Sequence, residues 1–183
     1  MRWAAVILSG GTASRLDGAD KSSLEYHGRS LLEHALEAVS GSVQTVVVGP
    51  EVPTPHAVTF TRETPARGGP LAGLAAGVAT LRGDADLVVV VAVDMPHVTA
   101  ATVRRLVSAV GDQDGAWLVD GHGRRQLAGV VRRTVVPAPG EAHGVPMRRL
   151  MDRPGTLDVP ALGPEADDID SWADVARLRD DVP

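Results

Sequence analysis

A chain of 183 residues, 44% hydrophobic and only 3% aromatic, has enough apolar surface for one well-buried domain with a core of Val, Leu, Ala and Ile. The absence of cysteine excludes a disulfide framework and a thiolate metal site, and it suits a reducing compartment. A formal net charge of −5 argues against general nucleic-acid binding, and no apolar run approaches the roughly 18 residues of a membrane span; a cytoplasmic protein binding neither nucleic acid nor membrane is expected.

"WAAVIL" at 3–8 is too short for a signal-peptide core and ends in glycines. With "TVVVG" (45–49), "AVTFT" (57–61) and "DLVVVVAV" (86–93) it forms a set of near-continuous apolar runs, the pattern of strands covered on both faces of a parallel sheet. Ser30 and Glu33 have capping-box spacing ahead of "LLEHALEAV", whose Leu32, Ala35, Leu36 and Val39 share one helical face. "PLAGLAAGVATL" predicts a helix over 70–81 that begins with Pro at a first-turn position, and "TAATVRRLVSAV" predicts another over 99–110. Beyond residue 111, "GAWLVDGHGRRQLAGVVRR" reads as two antiparallel strands joined near Gly121–Gly123. Residues 137–146 read as a loop and the least core-like part of the chain, 147–151 as a short helix, and Ser171 as the start of a terminal helix. The expected architecture is α/β: a single Rossmann-like domain over residues 1–183, a mostly parallel sheet flanked by helices, with a small antiparallel element in the C-terminal half.

In such a sheet, ligands bind beyond the carboxyl ends of the strands. Gly10 and Gly11 follow the first expected strand, and glycines let backbone N–H groups approach phosphate oxygens. Arg15 can grip phosphate through two donors, and Lys21 adds a mobile point charge. The stretch lacks the G-x-G-x-x-G spacing, and Asp20 stands where a P-loop has Gly before Lys. Two readings fit: a different phosphate loop, or a plain charged turn. Asp94 closes the Val-rich run, and a carboxylate directly after a buried strand is costly unless it is neutralised. Mg²⁺ held by one or two carboxylates and substrate phosphates would do so; the rival reading, a helix cap, is better filled by Thr99.

"LSGGTASRLDGADKSSLEYHGRSLLEHAL" resembles the opening of the molybdenum cofactor guanylyltransferase (MobA-like) family of nucleotidyltransferases. "GGPLAGLAAGV" (68–78), "VDMPHV" (93–98) and "DIDSWADVARLR" (168–179) are similar to later family motifs in the same order. The resemblance implies transfer of GMP from GTP to molybdenum-bearing molybdopterin with release of pyrophosphate. It further implies a Mg²⁺ cofactor, and transient contact with molybdenum-insertion proteins or molybdoenzymes. It places Leu8, Ser9, Gly10 and Gly11 against the nucleotide, Lys21 on its phosphates and Asp94 on the metal; Asp170 is either a second metal contact or a helix N-terminal charge. In the resulting mechanism Arg15 and Lys21 offset charge on the transferring and leaving phosphates.

Three positions depart from the family pattern. Gly49 stands where Asn is frequent at a base- or ribose-contacting position, Arg62 stands where an Asp is frequent ahead of "GPLAG", and Leu127 replaces a Pro after Gln126. Gly49 and Arg62 bear on base choice, so a cytidylyltransferase acting on the same pterin is the alternative, with a nucleotide-binding module lacking turnover behind it. Arg124, Arg125, Arg132 and Arg133 either hold the pterin's phosphate or coat a solvent face, the plainer expectation. His97 reads as a loop bystander, the remaining histidines have no metal-ligand spacing, and the three Trp residues read as packing.

Overall fold

The computed structural model describes residues 2–10 and 23–169. Gly11, Arg15, Lys21, Asp170, Trp172 and the helix expected from Ser171 lie outside these residues. Strand β1 (Trp3–Leu8) leads through a two-residue pair, β2 (Glu25–Tyr26) and β3 (Arg29–Ser30), into helix α1 (Leu31–Ala38). There follow β4 (Thr45–Val48), β5 (Thr59–Thr61), α2 (Pro70–Thr80), β6 (Leu87–Ala92) and α3 (Ala100–Val110). The second half contains β7 (Gly115–Val119), β8 (Arg125–Arg132), the short helices α4 (Pro139–Ala142) and α5 (Arg148–Met151), and β9 (Thr156–Pro160).

Seven strands form one sheet in the order β5-β4-β1-β6-β8-β7-β9. The pairs β5–β4, β4–β1, β1–β6 and β7–β9 are parallel, and β8 runs antiparallel to both of its neighbours. This is the expected Rossmann-like arrangement with its antiparallel element. Strand β6, at the centre, is buried along its whole length, as a Val-rich run covered on both faces requires. Alternate side chains feed two cores: Val89 and Val91 pack with α1 and α3, whereas Val88 and Val90 pack with α2, α4 and α5.

The expected helix starts are present. Ser30 and Glu33 form a reciprocal capping box on α1, Thr99 caps α3, and Pro70 opens α2. Two glycines one helical turn apart let α2 press onto the sheet. A Cβ on Gly77 would stand 2.5 Å from Val6 Cγ1, and one on Gly73 would stand 3.3 Å from Leu8 Cδ2. The β7–β8 turn is organised by Asp120, whose Oδ1 accepts the N–H groups of His122 (2.8 Å) and Arg124 (2.9 Å).

Two sequence expectations need correction, and one strand went unread. Residues 137–146 are not a plain loop: they contain α4, and Ala142 is fully buried against α2. A four-residue helix is too short to show periodicity, so its sequence carries Pro and Gly with no apolar stripe. Strand β9 carries Asp158 and ends in Pro160, features that suit an edge strand and hide it from an apolar-run search. Of the hairpin arginines, Arg124 lies on a solvent face as expected, its side chain 75% exposed beside Asp120, but the other three bind within the fold. Arg133 donates to the carbonyls of Gly83 (2.9 Å) and Leu81 (3.0 Å) at the end of α2, and Arg132 to those of Gln113 and Gly111. The Arg125 side chain is 20% exposed and ties β8 to Asp158 (2.6 Å), Thr156 and Met151.

Candidate active site

Register decides which candidate residues meet. Leu8 is level with Val48 on one side and Ala92 on the other, so β4, β1 and β6 end together. The hydrogen bonding continues past the strands. Gly49 N–H donates to the Thr61 carbonyl (2.9 Å), Ser9 N–H to Val48 (2.9 Å), and Val93 N–H to Leu8 (3.0 Å). Leu8, Ser9, Gly10, Gly49 and Asp94 therefore lie side by side at the carboxyl edge of the parallel strands, where ligands of such sheets bind.

Gly49 owes its identity to this crowding. A Cβ there would stand 3.0 Å from Ser9 Cβ and 3.1 Å from Ser9 C, so any side chain at this position requires the Ser9 backbone to shift by a few tenths of an ångström. At Gly10 the same test meets Val48 O at 3.6 Å and Gly49 Cα at 3.9 Å, ordinary contacts. Arg62 lies beside Gly49, its Nε donating to the Gly49 carbonyl at 3.4 Å. The two departures from the family pattern form one connected corner of the site.

Ser9 is 6% exposed, and its hydroxyl has no hydrogen-bond partner among the described residues. An unpaired buried hydroxyl costs about 1–3 kcal/mol, and a bound phosphate or sugar oxygen would offset that. Helix α2 follows a strand that ends at this edge and runs back along the sheet, so its N-terminus and the positive end of its dipole lie on the ligand side. Gly69 at that N-cap has φ 89° and offers no side-chain cap. The α4 segment buttresses the preceding residue: Gly144 N–H donates to Gly68 O (2.9 Å), and a Cβ on Gly68 would stand 2.6 Å from His143 Nδ1. Sequence reasoning missed this role because His143 has no recognisable motif around it.

Asp94 is half-buried, and Ile169 N–H donates to its carbonyl at 2.9 Å. The residue before Asp170 is thus brought back to the metal candidate. Among the described residues no three His, Cys, Asp or Glu side chains form a metal-binding group. One carboxylate beside a polar, cysteine-free edge nevertheless fits Mg²⁺, which takes one or two protein carboxylates and completes its shell with substrate oxygens and water. The His97 ring packs edge-on to Tyr26 at 5.4 Å, and His34 Nε2 donates to the Tyr26 carbonyl at 2.8 Å. This cluster joins the loop after β6 to β2 and α1.

The sequence matches the MobA-like NTP transferase domain over residues 5–157. The chain belongs to that family. A molybdenum cofactor guanylyltransferase of Xanthomonas euvesicatoria pv. vesicatoria (strain 85-10) is 41% identical over 108 residues, covering 58% of this chain and 54% of that protein; the chain thus spans about half the length of that relative. One from Aliivibrio fischeri (strain MJ11) is 28% identical over 137 residues, 72% of this chain and 70% of the relative. Rv0371c from Mycobacterium tuberculosis H37Rv has the same fold, with a TM-score of 0.81 over 98% of both chains at 22% identity. Among the described residues no helix is long and apolar enough to cross a membrane.

Proposed function

We propose that this member of the MobA-like family transfers GMP from GTP to the terminal phosphate of molybdenum-bearing molybdopterin and releases pyrophosphate. One observation carries the reading. Leu8 pairs with β4 and β6 at once, so the glycine edge after β1 and the carboxylate after β6 share one end of the sheet. Were they at opposite ends, no single triphosphate would reach both.

A phosphate oxygen of the acceptor attacks the α-phosphorus of GTP, a new P–O bond forms, and the bond to the bridging oxygen breaks as pyrophosphate leaves. An ionised phosphate needs no general base. Asp94 holds Mg²⁺ in this reading, and the ion when bound offsets charge on the triphosphate. Ser9 and Gly10 bind phosphate or ribose oxygens, the α2 N-terminus adds a favourable field, and Arg15 and Lys21 hold the leaving phosphates. Asp170 is proposed as the second carboxylate, next in sequence to the residue that contacts Asp94.

The Gly49–Arg62 corner departs from the family pattern on the side that bears on base choice, and the second reading is transfer of CMP from CTP to the same acceptor. Pyrophosphate release from each nucleoside triphosphate, with Mg²⁺ and with or without molybdopterin, separates the readings. Release dependent on GTP and the pterin supports the first, and release with CTP alone supports the second. Tight nucleotide binding without release would leave a binding module.

A further inference from the structure

Glu165 is an 8% exposed acid on the short turn Gly163–Ala166, just ahead of the 168–179 motif and outside it. Its Oε1 accepts from Thr102 Oγ1 (2.6 Å) and Arg105 Nη1 (2.7 Å), and its Oε2 accepts from Arg105 Nη2 (2.9 Å) and the Leu162 N–H (2.7 Å). Arg105 Nη2 also donates to the Pro160 carbonyl at 2.9 Å, and Thr102 is completely buried. Both oxygens of the acid are thus clamped to α3 in a two-pronged arrangement. The chain has little slack beyond it. Asp167 N–H closes back onto the Pro164 carbonyl (2.9 Å), and Ile169, 3% exposed, enters the core shared with α1 and α3. There its N–H meets the Asp94 carbonyl at 2.9 Å.

We propose that Glu165 and Arg105 are positioning residues for Asp94, acting through the Ile169 amide that fixes the peptide group following it. The inference rests on Asp94 holding a divalent cation. A charged clamp in a half-buried place is a costly way to fasten a terminal segment, and an apolar contact would serve for stability alone. Its rigidity is what a metal carboxylate needs, because Mg²⁺ demands near-ideal oxygen placement and outer contacts of a ligand set its affinity.

The test is Mn²⁺ alone, titrated into the full chain in the presence of GTP and followed by electron paramagnetic resonance, with amide hydrogen exchange at Ile169 measured alongside. Glu165→Gln and Arg105→Ala should each weaken Mn²⁺ binding about tenfold, speed exchange at Ile169 and leave metal-free GTP affinity unchanged. Arg132→Ala, which breaks main-chain contacts at the opposite end of the sheet, should lower stability and leave Mn²⁺ binding as in the wild type. If Glu165→Gln does not fold, Arg105→Lys, which keeps the charge and loses the fork, should give a smaller weakening in the same direction. Mn²⁺ affinity within about twofold of wild type in folded clamp variants, while Asp94→Ala abolishes binding, would overturn the proposal and leave the metal assignment standing. Undiminished binding in Asp94→Ala would overturn both.

Discussion

Replacing Gly49 with Ala probes the crowding at the site edge directly. The added methyl would stand 3.0 Å from Ser9 Cβ, 3.1 Å from Ser9 C and 3.3 Å from Gly10 N, against about 3.5–4.0 Å for an ordinary carbon contact. Relief needs a shift of about half an ångström. Two of the three atoms are main chain, held by the Ser9–Val48 and Val93–Leu8 hydrogen bonds, so no rotamer change absorbs it. Overpacking of this kind costs about 2 kcal/mol, and stiffening the unfolded chain returns about 0.5–1 kcal/mol. The net loss of about 1–1.5 kcal/mol lowers Tm by about 3–5 °C for a chain of this size. The displaced atoms belong to the edge proposed to bind the nucleotide, so GTP affinity should fall about tenfold as well, by calorimetric titration beside circular-dichroism melting. Gly10→Ala is the control for stability, since its Cβ would lie 3.6 Å from Val48 O and 3.9 Å from Gly49 Cα and should leave Tm nearly unchanged. An unshifted Tm and unshifted GTP affinity in Gly49→Ala would refute the reasoning.

Asp94→Ala should lower Mg²⁺-dependent turnover about a hundredfold while the melting temperature changes little; near-normal initial rates of pyrophosphate release would rule out the metal role. Gly129→Ala should destabilise by about 3 kcal/mol in urea unfolding, because its Cβ would lie 2.3 Å from Trp117 Cε3 and 2.8 Å from Ala116 O in the core. Burial pushes the Glu165 carboxyl up, but its hydrogen bonds from Arg105, Thr102 and the Leu162 amide outweigh that and hold it below the ordinary value of 4.5. The folded state therefore binds fewer protons at this group than the unfolded state does. Its stabilisation is complete above the ordinary glutamate range and is lost as the pH falls through the lowered value. Urea midpoints between neutral pH and pH about 3 should fall more steeply on the acid side for the wild type than for Glu165→Gln, and parallel profiles would refute this.

The long apolar runs were legible because a strand buried on both faces has to be apolar throughout; Leu87–Ala92 and Thr45–Val48 were located to within a residue or two. Capping residues were equally legible, since a cap acts on N–H groups only two or three positions away. Elements whose reason for existing lies elsewhere were not. Strand β9 forms because β7 leaves an open edge, and α4 forms because α2 needs a partner beside Gly68. Arg133 and Arg125 look like surface charge until the carbonyls at the end of α2 and Asp158 of β9 are brought to them.

The same division runs through the site. Residue order alone determined that glycines follow one buried strand and a carboxylate follows another, because backbone access and the cost of burying charge are properties of the residues themselves. Only the tertiary structure decided that those two strands are neighbours in register, that Gly49 and Arg62 touch, that Glu165 is clamped to α3, and that the Ile169 amide reaches the Asp94 carbonyl. Contacts between residues remote in sequence depend on sheet order and register, which are set by the packing of every element at once.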